Sequence, residues 1–246
     1  MLEVTTRLEV NLPEKVTTPT DFVSLSQLLV KHRVPALVVA PQFIESAIIE
    51  RQKVNGSFSI ICSVDFARGN LYAMEKLRPL PKVVQAVNGF DILVSPGRTD
   101  KESLNELKTI RHFIQSVYGQ MTQIRWTIGL STREIEEVQN VLPHLSKFPV
   151  SYIRTDNNLV IPGVDLEVHR ASVQVIREFV PTPIKISGNV TSDVVKEMRQ
   201  DVARFDVNVA QFKQILQPPR PRQESEQVSE DIAEEGTLVR VKRPGG

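Results

Sequence analysis

Asp91, Arg154 and Lys185 each fall on or near the end of a separate short apolar run, in the segments GFDILVSPG, SYIRTDNN and IKISGNVTS. A carboxylate can pass protons as a general acid or base, and an amine near its pKa can attack a carbonyl. A guanidinium can do neither: it stays protonated at ordinary pH and its lone pairs are delocalised, so Arg154 binds anions but forms no productive Schiff base. If the three runs are strands, all three side chains point inward and share a pocket at one mouth, lined also by Arg125 or Ser187. Other reactive types carry less. Cys62 lies inside an apolar run and reads as a small core residue. His32, His112, His144 and His169 lack metal-ligand spacing, so no metal and no cofactor is expected. Trp126 could line the pocket or pack outward, and alternation does not decide which.

The elements that must position these residues follow a regular pattern. Apolar, β-branched runs at Leu8–Leu12, Ala36–Ala40, Ser59–Val64, Asp91–Ser95, Ile124–Ile128, Val150–Thr155, Ile184–Ser187 and, less regularly, Phe205–Val209 alternate with segments of helical period such as Asp21–His32 and Phe43–Lys53. Thr99 with Glu102 and Ser131 with Glu134 have capping-box spacing at helix starts. Near-continuous apolar strands in βα alternation imply a parallel sheet covered on both sides. Eight such units predict a (β/α)8 TIM barrel over residues 1–216. A doubly wound open sheet is the alternative, weakened by the lack of a Gly-x-Gly-x-x-Gly turn after an early strand.

A chain of 246 residues suits one such barrel, for which about 250 is typical. Hydrophobic residues at 41% and charged residues at 24% are ordinary for a soluble globular protein. Thirty Lys and Arg against 29 Asp and Glu give a net charge of +1, which argues for neither nucleic acid nor membrane as partner. One cysteine and no secretion-type leader make the cytoplasm the default setting. Beyond Leu216 the sequence turns to Pro218, Pro219 and Pro221 and then to Glu-rich sequence, so 217–246 is expected to be a disordered tail. Its last run, Thr237–Val241 with Lys242 and Arg243, reads either as a strand added to a protein partner or as a solvated charged terminus.

From about residue 34 to 216 the order of segments resembles the deoxyribose-phosphate aldolase family. VVAPQFIESA (38–47) is similar to the family's second strand and helix start. DFARGN (65–70) is similar to its Phe-Pro-x-Gly-Asn loop, with Ala67 for proline. GFDILVSPG (89–97) resembles its fourth strand, and IKISGNVTS (184–192) resembles its seventh-strand Lys-x-Ser-Gly-Gly-x-x-Thr, with Asn189 for the second glycine. The resemblance implies a TIM-barrel lyase that cleaves 2-deoxyribose 5-phosphate through a Schiff base on a sixth-strand lysine. Arg154 stands at that lysine's place. Asp91 matches the fourth-strand carboxylate that assists proton transfer. Lys185 matches the seventh-strand lysine that lowers the nucleophile's pKa, and Arg154 facing it would push Lys185 toward its neutral form. Arg125 replaces another family lysine.

For substrate binding the resemblance implies Arg125, Ser187, Gly188, Asn189 and Arg204, with Asp206, Asn208 and Val209 where the family's phosphate loop has glycine and serines. Two readings follow. One is a pseudoenzyme: a scaffold or a binder of a small carbonyl or anionic ligand, with a protein partner engaged through the tail and homo-oligomers allowed. The other is an active aldolase with Lys185 as the amine and Asp91 as acid or base. An Asp91–Lys185 salt bridge without catalysis is the bland form of the first.

Overall fold

The structure is a computed structural model that describes residues 2–12, 19–64, 72–94, 99–118, 125–131, 142–146, 150–156 and 166–217. Eight parallel strands form the sheet: β1 (Leu8–Asn11), β2 (Ala36–Val39), β3 (Ser59–Val64), β4 (Gly89–Leu93), β5 (Arg125–Ser131), β6 (Tyr152–Asp156), β7 (Ile184–Ser187) and β8 (Arg204–Asn208). They pair in chain order, and β8 closes onto β1 with Asp206 opposite Glu9. That closure settles the choice against an open sheet: this is a (β/α)8 barrel. The helices are α1 (Leu2–Thr5), α2 (Pro19–Lys31), α3 (Ile44–Lys53), α4 (Ala73–Leu77), α5 (Leu80–Val83), α6 (Asp100–Tyr118), α7 (Leu142–Leu145), α8 (Leu166–Phe179), α9 (Ser192–Met198) and α10 (Val209–Leu216).

Side chains alternate across each strand, and the two faces of the sheet differ in kind. Leu8 and Val10, Leu37 and Val39, Ile60 and Cys62, Phe90 and Ile92, Ile184 and Ile186, and Phe205 and Val207 all join one hydrophobic cluster that meets the helices. Trp126 belongs to it, stacked on Phe90 with ring centroids 5.0 Å apart, so it packs outward. Cys62 is fully buried there, and burial, with Asp91 nearby, pushes its thiol up to about 12. On the inner face the apolar cluster is only Ala36, Val38 and Ile61. Beside these and Leu93, which shares the parity of Asp91, the described interior is rich in polar and charged side chains.

Local chemistry sets several helix ends. Thr99 and Glu102 form the expected capping contacts at the start of α6: Thr99 N donates to Glu102 Oε2 at 3.0 Å and Glu102 N donates to Thr99 Oγ1 at 3.4 Å. The pair Ser131–Glu134 reads differently, because Ser131 is the last residue of β5 and Glu134 lies outside the described residues. A feature the sequence did not advertise is Lys76. Fully buried on α4, it donates to Leu93 O at the end of β4 and pairs with Glu106 of α6 at 2.6 Å. The tail 218–246, including Thr237–Arg243, and the segments 65–70 and 95–97 lie outside the described residues.

Candidate functional site

Five strands carry the same triplet, a charged residue between residues that face outward: Leu8-Glu9-Val10, Phe90-Asp91-Ile92, Ile153-Arg154-Thr155, Ile184-Lys185-Ile186 and Phe205-Asp206-Val207. Because period 2 sends the outer pair to the helices, the middle side chain is driven into the barrel. Arg125 joins them from the first position of β5. Among the described side chains the interior therefore holds three carboxylates and three cations, which suits a buried site only if each charge meets its opposite.

Lys185 is the hub. Its Nζ lies 2.5 Å from Glu9 Oε2, 2.5 Å from Asp91 Oδ2 and 3.6 Å from Asp206 Oδ2, with all four side chains buried. Arg125 grips Glu9 with both terminal nitrogens, Nη1 to Oε1 at 2.5 Å and Nη2 to Oε2 at 3.0 Å, and lies over the Tyr152 ring at 5.1 Å. Arg154 Nη1 sits 2.8 Å from Asp206 Oδ2 and 3.7 Å from Asp91 Oδ2.

The electrostatics follow from these distances. Burial favours neutral Lys185, but Asp91, Glu9 and Asp206 outweigh it and hold the ammonium above its ordinary pKa. This corrects the expectation that Arg154 drives Lys185 toward its neutral form. Arg154 and Lys185 are register neighbours on β6 and β7, but Asp206 Oδ2 stands within ion-pair range of both. Burial likewise raises the carboxyl pKa of Glu9 and Asp91, and it is overcome by Lys185 and Arg125 for both, with Arg154 adding to the effect on Asp91, so both sit below the usual range. Burial penalises charged Arg125 too, yet Glu9 and Asp91 hold its pKa above the ordinary value. For Asp206 burial prevails and pushes the carboxyl up, against Arg154 and Lys185.

The structure brings Asp91, Arg154, Lys185 and Arg125 into this one network, enclosed in the barrel rather than open at its mouth. Asp91 is the third of five residues in β4, which starts at Gly89 and not at Asp91, so it is not an end residue. The five residues implied for substrate binding do not meet. Arg125 and Arg204 open their strands, and both approach Glu9, with Arg204 Nε at 3.8 Å. Ser187, Gly188 and Asn189 lie at the far end of β7.

At that end several polar groups are engaged by neighbours. Ser187 Oγ donates to Thr155 O at 2.7 Å, and Gln211 Nε2 donates to Gly188 O at 2.6 Å. Gly188 has φ 110°, a conformation open to glycine and strained for other residues. His169 Nε2 is 3.3 Å from Asn189 O. Asn208 caps α10 by accepting from Gln211 N at 2.9 Å, while Gln211 Oε1 accepts from Asn208 N.

Glu9 was missed from sequence, although its signal was present: a lone carboxylate inside the first apolar run, with the same parity as Asp206 across the closing seam. No described helix is long and apolar enough to cross a membrane.

Comparison with known proteins gives the fold a family likeness. No family model matches, and no curated protein matches by sequence. Among solved structures, the tetrameric deoxyribose phosphate aldolase from Aeropyrum pernix superimposes with TM-score 0.70 at 12% identity, over 87% of this chain and 89% of that one. A candidate deoxyribose-phosphate aldolase from Coccidioides immitis gives 0.66 at 15% identity, over 84% and 82%. A barrel of another kind, a HpcH/HpaI aldolase/citrate lyase family protein from Burkholderia cenocepacia J2315, gives 0.53 at 11% identity, over 82% and 87%. The fold is that of the deoxyribose-phosphate aldolases.

Proposed function

We propose that this chain is a divergent member of the deoxyribose-phosphate aldolase family that has lost Schiff-base chemistry and keeps the barrel as a scaffold or as a binder of a small carbonyl or anionic ligand. The observation that carries this reading is the clamp on Lys185. Among the described residues it is the amine inside the barrel, and three carboxylates hold it as ammonium, which has no lone pair to add to a carbonyl. Arg154, at the place implied for the Schiff-base lysine, faces Asp206 as an ion pair at 2.8 Å that lacks hydrogen-bond geometry. Asp91, the implied acid or base, spends an oxygen on Lys185.

The phosphate end supports the same reading. Asn208 and Gln211 satisfy each other across the first turn of α10, so two of the amides at this helix start, those of Asn208 and Gln211, already have partners. A homo-oligomer in a cytoplasmic setting completes the proposal, and the tetrameric description of the Aeropyrum protein lends the first part support.

The test is turnover of 2-deoxyribose 5-phosphate, followed by coupled detection of acetaldehyde. The expected result is a rate indistinguishable from buffer. Robust turnover that Lys185→Ala abolishes would overturn the proposal in favour of an aldolase with Lys185 as its nucleophile.

A further inference from the structure

The end of the barrel where the strands begin is basic, although the chain as a whole carries only +1. Arg7 precedes β1, Lys31 and Arg33 precede β2, Arg51 reaches the start of β3, and Arg199 and Arg204 flank the start of β8. Part of this has a general cause. Every outer helix runs back toward this end, and a helix C-terminus carries about half a negative charge that favours bases in its last turn, as with Lys31 of α2 and Arg51 of α3.

That cause extends to Arg33 and, past the single turn of α1, to Arg7, whose amides bond to last-turn carbonyls, but not to Arg204, which opens β8. Moreover, the guanidinium groups here are held mainly by carbonyls. Arg7 donates to Arg199 O and Val202 O, Arg204 to Thr6 O at 2.9 Å, and Arg51 to Phe58 O and to the Asn88 amide oxygen. A carbonyl satisfies the donor without cancelling the charge. Among the described side chains, three acids at this end are engaged: Asp201 pairs with Arg177, Glu50 with Lys53, and Glu9 with Arg125, Lys185 and, at 3.8 Å, Arg204. Glu178 is exposed.

The chain leaves the barrel at this same end. Helix α10 starts directly after β8 and runs back eight residues, a rise of about 12 Å, against the direction of the strands. Phe212 of α10 meets His32 edge-on, with centroids 6.3 Å apart, which puts α10 beside Lys31 and Arg33. After Gln217, the stretch from Glu224 to Glu235 holds Glu224, Glu226, Glu230, Asp231, Glu234 and Glu235 and no basic residue. Glu224 lies seven positions beyond Gln217, a reach of up to about 25 Å at 3.6 Å per step.

We propose that the acidic run Glu224–Glu235 of this chain docks across the basic face at the strand-start end of its own barrel, with Arg7 and Arg33 as its main contacts. The contact is electrostatic and partly exposed, so salt weakens it; the screening length falls from about 10 Å at 0.1 M to about 3 Å at 1 M.

Two measurements on the full chain test it. A zero-length carbodiimide joins carboxylates to nearby lysine amines. In low salt, tryptic mass spectrometry should find tail carboxylates joined to Lys31 within one chain, at a yield that drops severalfold in 1 M NaCl or on Arg33→Glu. The Lys53–Glu50 link serves as the internal control for coupling. Absence of the Lys31 link while the control forms would overturn the proposal. So would a preference for Lys101 in the first turn of α6, at the opposite end, or links found only between isotopically distinct chains, which would make a second copy the occupant.

The second measurement is a nitroxide on Ser229→Cys, which labels alone because Cys62 is buried with its thiol pushed up to about 12. Amide signals around Arg7 and Arg33 should broaden at low salt and recover at 1 M. Broadening elsewhere, or nowhere, would refute the docking.

Discussion

Replacing Lys185 with methionine removes one charge and keeps most of the volume. In the wild type, Lys185 Nζ is within 2.5 Å of both Glu9 and Asp91 and 3.6 Å from Asp206, all of them buried. Without it, three carboxylates face two guanidiniums, and Asp91 keeps only Arg154 at 3.7 Å among the ion pairs described. Breaking a buried pair on one side costs about 3–5 kcal/mol, because the remaining charge stays desolvated. For a domain of this size that lowers Tm by about 6–20 °C, at roughly 2–4 °C per kcal/mol. Urea unfolding at pH 7 with a far-ultraviolet readout measures the loss directly. The double variant Lys185→Met/Asp91→Asn restores the balance of charge and should be more stable than Lys185→Met alone by about 1–3 kcal/mol, since the two sites are in contact and do not add. A single variant within 1 kcal/mol of wild type, or a double variant that loses the sum of the two singles, would show that the network is not closed as described.

Two further outcomes follow from the same network. Glu9 and Asp91 have folded pKa values below their ordinary 4.5 and 3.8, so their stabilisation is present above that range and is lost as pH falls below it. Asp206 is raised and acts in the opposite sense, while Lys185, raised from 10.5, contributes fully below 10.5 and loses its contribution only as pH climbs through its higher folded value. Stability measured by urea unfolding should therefore hold from pH 6 to 9 and drop below about pH 4, and Glu9→Gln should flatten that drop. Arg154→Lys places an amine at the sixth-strand position but beside Asp206 at 2.8 Å in the parent, so coupled acetaldehyde detection should show at most weak activity; adding Asp206→Gly should lower KM more than it raises kcat.

The strands are legible because their outer residues are almost all apolar, and the expected bounds of β3 and β7 are the observed ones. The site was legible in membership more than in depth. Asp91, Arg154 and Lys185 were found as inward residues, but starting β4 at Asp91 rather than at Gly89 moved the carboxylate from mid-strand to a mouth. Gly89 opens that strand because the backbone of Arg125 passes so close that a Cβ would lie 2.6 Å from its carbonyl oxygen, a constraint set by a strand thirty-odd residues away. Glu9 went unread for a similar reason. Its partners, Arg125 and Lys185, are more than a hundred residues distant, and only the β8–β1 closure explains why a carboxylate belongs in the first strand. The sign of the Lys185 shift could not be read either, since it depends on three oxygens converging on one nitrogen rather than on the neighbouring guanidinium alone.

The proposal that Lys185, the amine described inside this barrel, does not form a Schiff base is tested most directly by incubating the full chain at pH 7.5 with acetaldehyde and with glyceraldehyde 3-phosphate under borohydride, then measuring intact mass and mapping any adduct by peptide. The expected result is no adduct at Lys185, and none inside the barrel, beyond the slow scatter over exposed lysines that denatured protein also shows. A stoichiometric adduct on Lys185 would contradict it, for it would mean that the ammonium held by Glu9, Asp91 and Asp206 gives up its proton and attacks.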